Sequence, residues 1–408
     1  MAKPAPFPEI LTRIQRAHGT PTYVYFERTL RRQIERLRTA LQAAPHRLLY
    51  AMKANAHPRI LSRFRDHGVG IDAVSPAELL LGLRLGFDVR QILFSANNMT
   101  DAEMQFAHAQ GVLLNIGELS RLEAYGRAFP GSEVCVRLNP QIGAGHHEHV
   151  ITAGSRSKFG IPVEQLPALR SILKAHDLRL VGLHQHIGSG IPDIETLWDA
   201  VSVILDKARE FAGLRFVNLG GGLGIPYREE QAPLNLEGFS ERFGNAIRSF
   251  HEETGAEVWL EPGRFYVAEA GVLLASVTTI KDNGDRVFVG IDSGMNHLLR
   301  PAMYGSYHEI LNLSNPEGDA LTCDIVGNIC ETGDTFARDR SIPQPREGDC
   351  LAILDAGAYG YAMSSEYNLR PRPAEVWVPE ENPARFQVIT DRQTPAALVA
   401  DLLRRSSV

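Results

Sequence analysis

Lys53 follows directly on an apolar run, Leu48 to Met52. A lysine in such a place is ordinarily a solvated terminus. One that is desolvated has a lowered pKa and can condense with a carbonyl compound. Two other stretches carry what such a lysine would need. Gly220-Gly221-Gly222-Leu223-Gly224 brings consecutive backbone N–H groups within close reach of an anion, although a glycine run can also be a plain tight turn. Glu261-Pro262-Gly263-Arg264 adds a guanidinium fork for the same anion and a carboxylate that can pair with a protonated pyridine nitrogen. In His184-Gln185-His186-Ile187-Gly188-Ser189-Gly190, His186 is a candidate to stack on a ring face, or else a satisfied core histidine. Together these groups suit pyridoxal phosphate. A rival reading gives His184-x-His186 to zinc, as in barrel metal-dependent hydrolases. That reading leaves the glycines and Arg264 idle and offers no third or fourth ligand. A third reading is a protein that only carries the cofactor.

These residues stand at the ends of short apolar runs. The runs are Leu48 to Met52, Gly70 to Val74, Ile92 to Ser95, Val112 to Ile116, Val134 to Leu138, Leu180 to His184, Phe216 to Leu219 and Val258 to Leu260. Helix-like stretches such as Ala77 to Leu85 and Thr196 to Phe211 lie between them. Near-continuous apolar strands alternating with helices indicate a parallel sheet buried on both faces. The count favours a (β/α)₈ TIM-like barrel over an open doubly wound sheet, since no GxGxxG follows the first strand. A barrel carries its active site at the strands' C-terminal ends, often with a phosphate site after strands seven and eight. After Gly263 the pattern becomes β-rich: Val272 to Ile280, Val287 to Ile291, Cys323 to Val326, Leu351 to Leu354 and Glu375 to Val378 read as strands. Thr22 to Tyr25 reads as a strand able to pair with them. The expected organisation is an α/β chain. An N-terminal segment (1–30) pairs with the β domain, a barrel spans 31–270, and a C-terminal β-rich, sandwich- or barrel-like domain spans 271–408.

Composition narrows the classes. A formal net charge of -6 over 408 residues argues against a nucleic-acid partner. Cys135, Cys323, Cys330 and Cys350 form no CxxC pair or zinc spacing, which suggests reduced thiols in a cytoplasm and no metal site. The first twenty residues lack the apolar region of a signal peptide, and no apolar run approaches a membrane span of roughly 18 residues.

Tyr50 to Asn55, His186 to Gly190, the triple glycine and Glu261 to Arg264 resemble the fold type III, alanine-racemase-like decarboxylases that use pyridoxal phosphate. That family includes ornithine, arginine and diaminopimelate decarboxylases. The resemblance runs from about Thr22 to Val378 and is closest to the diaminopimelate decarboxylases. It rests there on Arg300-Pro-Ala-Met-Tyr304-Gly-Ser-Tyr-His308, Cys330-Glu331-Thr-Gly-Asp334, Asp355-Ala-Gly-Ala-Tyr359-Gly and Tyr367-Asn368-Leu-Arg370-Pro-Arg-Pro-Ala-Glu375-Val. The resemblance implies that Lys53 carries the cofactor, with Asp72 and His186 near it. Gly221, Gly222, Gly263, Ser189, Arg264 and Tyr359 would surround it, chiefly at the phosphate, and Glu261 would face the pyridine nitrogen. It further implies that Cys330 donates the proton that replaces carbon dioxide. It implies a homodimer in which the Cys330-Glu331 loop reaches into the partner's barrel.

A carboxylate at Glu261 keeps a pyridine nitrogen protonated, whereas the arginine of alanine racemases disfavours that proton, so Glu261 favours decarboxylation. The plainer reading of Cys330 is a small buried hydrophobe; its polar, Gly-flanked loop speaks for a proton donor. The expected substrate is meso-diaminopimelate, decarboxylated to L-lysine. Its distal carboxylate would meet Arg300, Tyr304, Arg264 and Tyr359, and its distal ammonium Glu331. An internal pair between Arg300 and Glu331 is the plainer reading of those two residues. Glu366, Leu369, His297 and Ala153-Gly154 depart from the family pattern. They leave open a relative acting on another basic, D-configured or carrier-bound amino acid.

Overall fold

A computed structural model describes residues 5–42, 45–141, 157–191 and 194–406, so Ala153-Gly154 lies outside the described residues. The chain divides into two compact units: Ile34–Ile225 with Ala232–Phe265, and Met1–Gln33 with Pro226–Gln231 and Tyr266–Val408.

In the first unit eight parallel strands, among the described residues, close into a barrel. They are His46–Ala51, Gly70–Ala73, Ile92–Phe94, Leu113–Ile116, Glu133–Asn139, Arg179–His184, Phe216–Asn218 and Glu257–Leu260. They pair in chain order, and the last returns to the first through Val258↔His46, which excludes the open sheet. Most of these strand residues are buried, as strands covered on both faces must be. Leu49, Leu93, Cys135 and Phe216, on alternate strands, form one buried cluster with Trp259. The Phe216 and Trp259 rings stack at 3.6 Å. Layers drawn from alternate strands are how a barrel this narrow fills its interior.

The helices between strands begin where the side chains can cap them. Ser75 accepts from the Glu78 N–H ahead of Pro76–Arg84, and Thr100 and Glu103 cap each other's backbone ahead of Asp101–Ala109. Each cap satisfies N–H groups that a first helical turn leaves open. A strand therefore ends in a defined loop rather than a frayed one, and the functional side chains sit on those loops.

The second unit is built on a mixed sheet. Its order runs Thr335–Pro343, Ala320–Val326, Val287–Ile291, Gly271–Asp282, Thr22–Phe26, Ala374–Val378 and Gln387–Thr390. Cys350–Ile353 also pairs with Gly271–Asp282 and with Ile310–Asn312. The N-terminal strand Thr22–Phe26 sits mid-sheet, antiparallel to Gly271–Asp282 and parallel to Ala374–Val378. Alternate residues on these strands (Val24 and Phe26, Val272 and Leu274, Val376 and Val378) make one core, covered by Leu11 and Ile14 of the helix Pro8–His18. The residues between them, such as Tyr23, Tyr25 and Trp377, are buried as well, so these central strands are covered on both faces.

Candidate active site

Lys53 lies in the turn Met52–Ala54, immediately after the first barrel strand. Its Nζ is 2.9 Å from Oδ2 of Asp72, on the second strand. Asp72 is fully buried, and its Oδ1 has no hydrogen-bond partner among the described residues. Burial raises the Asp72 pKa, helped by the charge of Glu261, while Lys53 pulls against both. The lysine side chain is 39% exposed. The barrel mouth is open there, and Asp72 steadies the ammonium in place of dry surroundings.

Glu261 follows the eighth strand and is buried. His184 Nε2 donates to its Oε1 at 2.8 Å and Asn218 Nδ2 to its Oε2 at 2.9 Å. Burial alone would raise its pKa. The charge and hydrogen bond of His184, with the charge of Lys53, outweigh burial and hold Glu261 below the usual carboxylate range. An ionised carboxylate is thus kept at the barrel's carboxyl end, held by His184 and Asn218. His184, the first half of the rival zinc pair, is committed to this carboxylate.

Asn218 ties this carboxylate to the glycine run: its Oδ1 accepts from the Gly220 N–H at 2.8 Å. Gly220 and Gly222 have φ of +78° and +93°, and a Cβ on Gly221 would stand 2.7 Å from the Glu261 carbonyl oxygen. Only glycine suits backbone that turns this way and passes this close. The Gly221 N–H goes to His186 Nδ1 at 3.1 Å and so orients the His186 ring. Burial, with the charges of Arg137 and Lys53, holds the His186 pKa well below its ordinary value, so the ring is neutral. Arg264 directs both Nε and Nη2 to Ser189 Oγ, at 3.3 and 3.1 Å. Gly263 packs where a Cβ would meet Ala54 at 3.0 Å, which brings the end of strand eight against the turn that bears Lys53.

Two site residues escaped the sequence reading. Arg137, on the fifth strand, donates to the His186 carbonyl at 3.1 Å, and its pKa is lowered to about 10 by burial against the pull of Glu261 and Asp72. Asn218 was read only as part of an apolar strand. A charged residue interrupting Val-Cys-Val-Arg-Leu, and an amide one residue before Leu219 and the glycines, were the available signals.

In the β-rich unit, Arg300 opens the helix Arg300–Tyr304 and is buried, while Tyr304 and Tyr359 are half-buried. Cys330 and Glu331 are exposed, and the Cys330 N–H is held by Asn368 Oδ1 at 3.0 Å. Among the departures from the family pattern, Glu366 pairs with Arg372 at 3.4 Å and Leu369 is exposed with φ +54°. His297 is buried between Ser293 and the Pro371 carbonyl.

A cavity of about 860 Å³ opens at the other end of the barrel, lined by Arg47, Arg179, Arg215, Glu133, Glu257 and Trp259 among others. Its arginines are paired with Glu257 and Glu133. It lies at the strands' amino ends, away from Lys53, and we give it no part in the chemistry.

The residues at the carboxyl ends fit pyridoxal phosphate. An amine on Lys53, a buried ionised carboxylate on Glu261, a neutral ring on His186 and a glycine loop beside Arg264 and Ser189 match an aldehyde, a ring nitrogen, a ring face and a phosphate. Residues 27–268 match the family described as pyridoxal-dependent decarboxylase, pyridoxal binding domain. The chain is 43% identical over 403 residues to a diaminopimelate decarboxylase of Methanothermobacter thermautotrophicus, covering 96% of this chain and 92% of that protein. It superposes with a TM-score of 0.87 on a diaminopimelate decarboxylase from Helicobacter pylori complexed with L-lysine, at 29% identity, covering 98% of this chain and 100% of that one. A diaminopimelate decarboxylase from M. jannaschii in co-complex with L-lysine matches with a TM-score of 0.85 at 31% identity, covering 96% and 94%. The chain therefore belongs to the pyridoxal-dependent decarboxylases and, among them, to the diaminopimelate decarboxylase family.

Proposed function

We infer that this chain removes carbon dioxide from the D centre of meso-diaminopimelate, giving L-lysine, with pyridoxal phosphate held on Lys53. The observation that carries the reading is the ionised Glu261, buried on His184 and Asn218 at the same barrel end as Lys53. Pyridoxal phosphate, when bound, supplies an electron sink for the charge left as carbon dioxide departs. When it is bound, Glu261 would keep the proton on its ring nitrogen, His186 would stand at the ring, and Asp72 would stay beside Lys53. Gly221, Gly222, Ser189, Arg264 and Tyr359 would hold its phosphate, with Gly263 shaping the loop. Cys330 delivers the proton that replaces carbon dioxide. Arg300 and Tyr304, with Arg264 and Tyr359, take the distal carboxylate, and Glu331 takes the distal ammonium. The protein acts as a homodimer that shares its sites. The four cysteines are unbridged, which supports a reducing, cytoplasmic setting. No helix among the described residues is long and apolar enough to cross a membrane.

A distal carboxylate is what separates diaminopimelate from lysine, ornithine or arginine as a substrate. A guanidinium built to receive it is left badly matched by a substrate that lacks it, which gives strong rejection. The test has two arms. Borohydride reduction of the yellow enzyme and mass mapping should place the cofactor on Lys53. The ratio kcat/KM should favour meso-diaminopimelate over L-lysine, L-ornithine, L-arginine and D-lysine, and Arg300→Ala should erase that preference. A cofactor on another lysine, or a preferred mono-carboxylate, overturns the reading.

A further inference from the structure

We propose that His308 is a positioning residue for Arg300 and that, through Arg300, it sets the preference for a substrate with a distal carboxylate. The proposal rests on the reading that Arg300 receives that carboxylate.

Both residues are buried in the β-rich unit, at 1% exposure for Arg300 and 0% for His308. Arg300 Nη1 lies 2.9 Å from His308 Nε2, and His308 Nδ1 lies 2.8 Å from the Leu354 carbonyl oxygen. These two contacts fix the protons. A guanidinium only donates, so Nε2 must offer its lone pair; a carbonyl only accepts, so Nδ1 must carry the hydrogen. The ring is thereby a neutral Nδ1–H tautomer, and its orientation is set by backbone. The guanidinium is also held on other sides. Its Nη2 donates to Ser306 Oγ at 3.3 Å, and its carbon lies 4.7 Å from the centre of the Tyr227 ring. Tyr227 in turn meets the His308 ring edge-on at 5.6 Å.

The chemistry of these three contacts bears on what they do. They are a lone pair, a hydroxyl and a ring face, which aim the guanidinium without adding a charge of their own. A bidentate pair with a carboxylate depends on the plane of the fork, so a residue that fixes that plane acts on substrate affinity rather than on bond cleavage. Such support from behind the contact residue is what a binding group needs to be held to its working geometry.

The experiment compares His308→Asn and His308→Gln, with Arg300→Ala as reference, using the cofactor-loaded enzyme. Asparagine can still donate to the Leu354 carbonyl but is one carbon short of Arg300; glutamine reaches it. We expect His308→Asn to raise KM for meso-diaminopimelate about tenfold at nearly unchanged kcat, the size of one charge-assisted hydrogen bond. His308→Gln should restore KM to within about threefold of wild type. The ratio of kcat/KM for meso-diaminopimelate to that for L-lysine should fall with His308→Asn by the same factor as KM rises, because L-lysine presents no distal carboxylate to Arg300. If Arg300→Ala raises KM but His308→Asn does not, the positioning role is wrong and the reading of Arg300 stands. If Arg300→Ala leaves KM and preference intact, the reading of Arg300 itself falls. An equal loss on both substrates would make His308 a packing residue and overturn the proposal. Should His308→Asn fail to fold, His308→Glu decides: a carboxylate placed against Arg300 competes with that of the substrate, so an unchanged KM overturns the proposal.

Discussion

At the scale of single residues, two buried carboxyl groups of the site are pushed in opposite directions by their neighbours. Glu261 stays charged because His184 and Lys53 outweigh burial, whereas Asp72, equally enclosed, is pushed the other way. His297 shows how far burial can move a group outside the site. Desolvation, with the charges of Arg370, Arg392 and Arg372, lowers its pKa from 6.5 to about 4. Its Nδ1 accepts from Ser293 and its Nε2 donates to the Pro371 carbonyl, so the neutral ring is fully used. In the unfolded chain this histidine takes up a proton as pH falls through 6.5; in the folded chain it resists until about 4. Stability is therefore unaffected by this group above pH 6.5 and is lost as pH falls from there toward 4. At about 1.4 kcal/mol per pH unit, the loss across that window reaches about 3 kcal/mol. Urea unfolding of wild type and His297→Gln at several pH values should show that the wild type loses more stability than the variant between pH 6.5 and 4. Parallel curves would mean that His297 is protonated in the fold. Nothing in the sequence marked this histidine as buried; it was noticed only as a departure from a family pattern.

At the scale of elements, the barrel strands were legible because burial on both faces leaves near-continuous apolar runs. The closing pair Val258↔His46 joins two of those runs. The strand Thr335–Pro343 was not legible. It sits at a sheet edge, and its Arg338 and Asp339 face solvent, so no apolar run betrays it. Ile310–Asn312, Gln387–Thr390 and the helices Pro8–His18 and Pro395–Arg405 were missed too, since short or half-exposed elements carry weak periodicity. The glycine run was legible as a site, but the close backbone packing it permits was not. It lets the ends of strands six, seven and eight approach through backbone, with a Gly221 Cβ 2.7 Å from the Glu261 carbonyl oxygen. Gly221→Ala should therefore force those ends apart at a cost of about 1–3 kcal/mol, the usual range for overpacking. Since the Gly221 N–H also orients His186, cofactor retention should weaken by about tenfold or more. Dialysis followed by absorbance of the remaining bound cofactor measures it. Full retention with unchanged stability would show that the loop tolerates a methyl group and is not held as tightly as the distances require.

At the scale of the whole molecule, Lys53 and Cys330 belong to different compact units of the chain. The proposed chemistry needs an amine from one and a thiol from the other. Cys330 is exposed in the single chain and its loop is clipped from behind by Asn368, as suits a side chain presented outward. A homodimer in which each barrel takes Cys330 from its partner joins these facts, and it has a numerical consequence. Lys53→Ala and Cys330→Ala enzymes should each be nearly inactive alone. When they are mixed in equal amounts and allowed to exchange, about half the dimers are mixed, and each mixed dimer holds one intact and one doubly defective site. The mixture should then recover up to about a quarter of wild-type activity if the sites act independently. If each site used Lys53 and Cys330 from the same chain, a mixed dimer would contain no intact site and mixing would recover nothing. Exchange must be shown separately, by native mass spectrometry of subunits of different mass. With exchange shown, recovery near a quarter supports shared sites, and its absence refutes them whatever the oligomeric state.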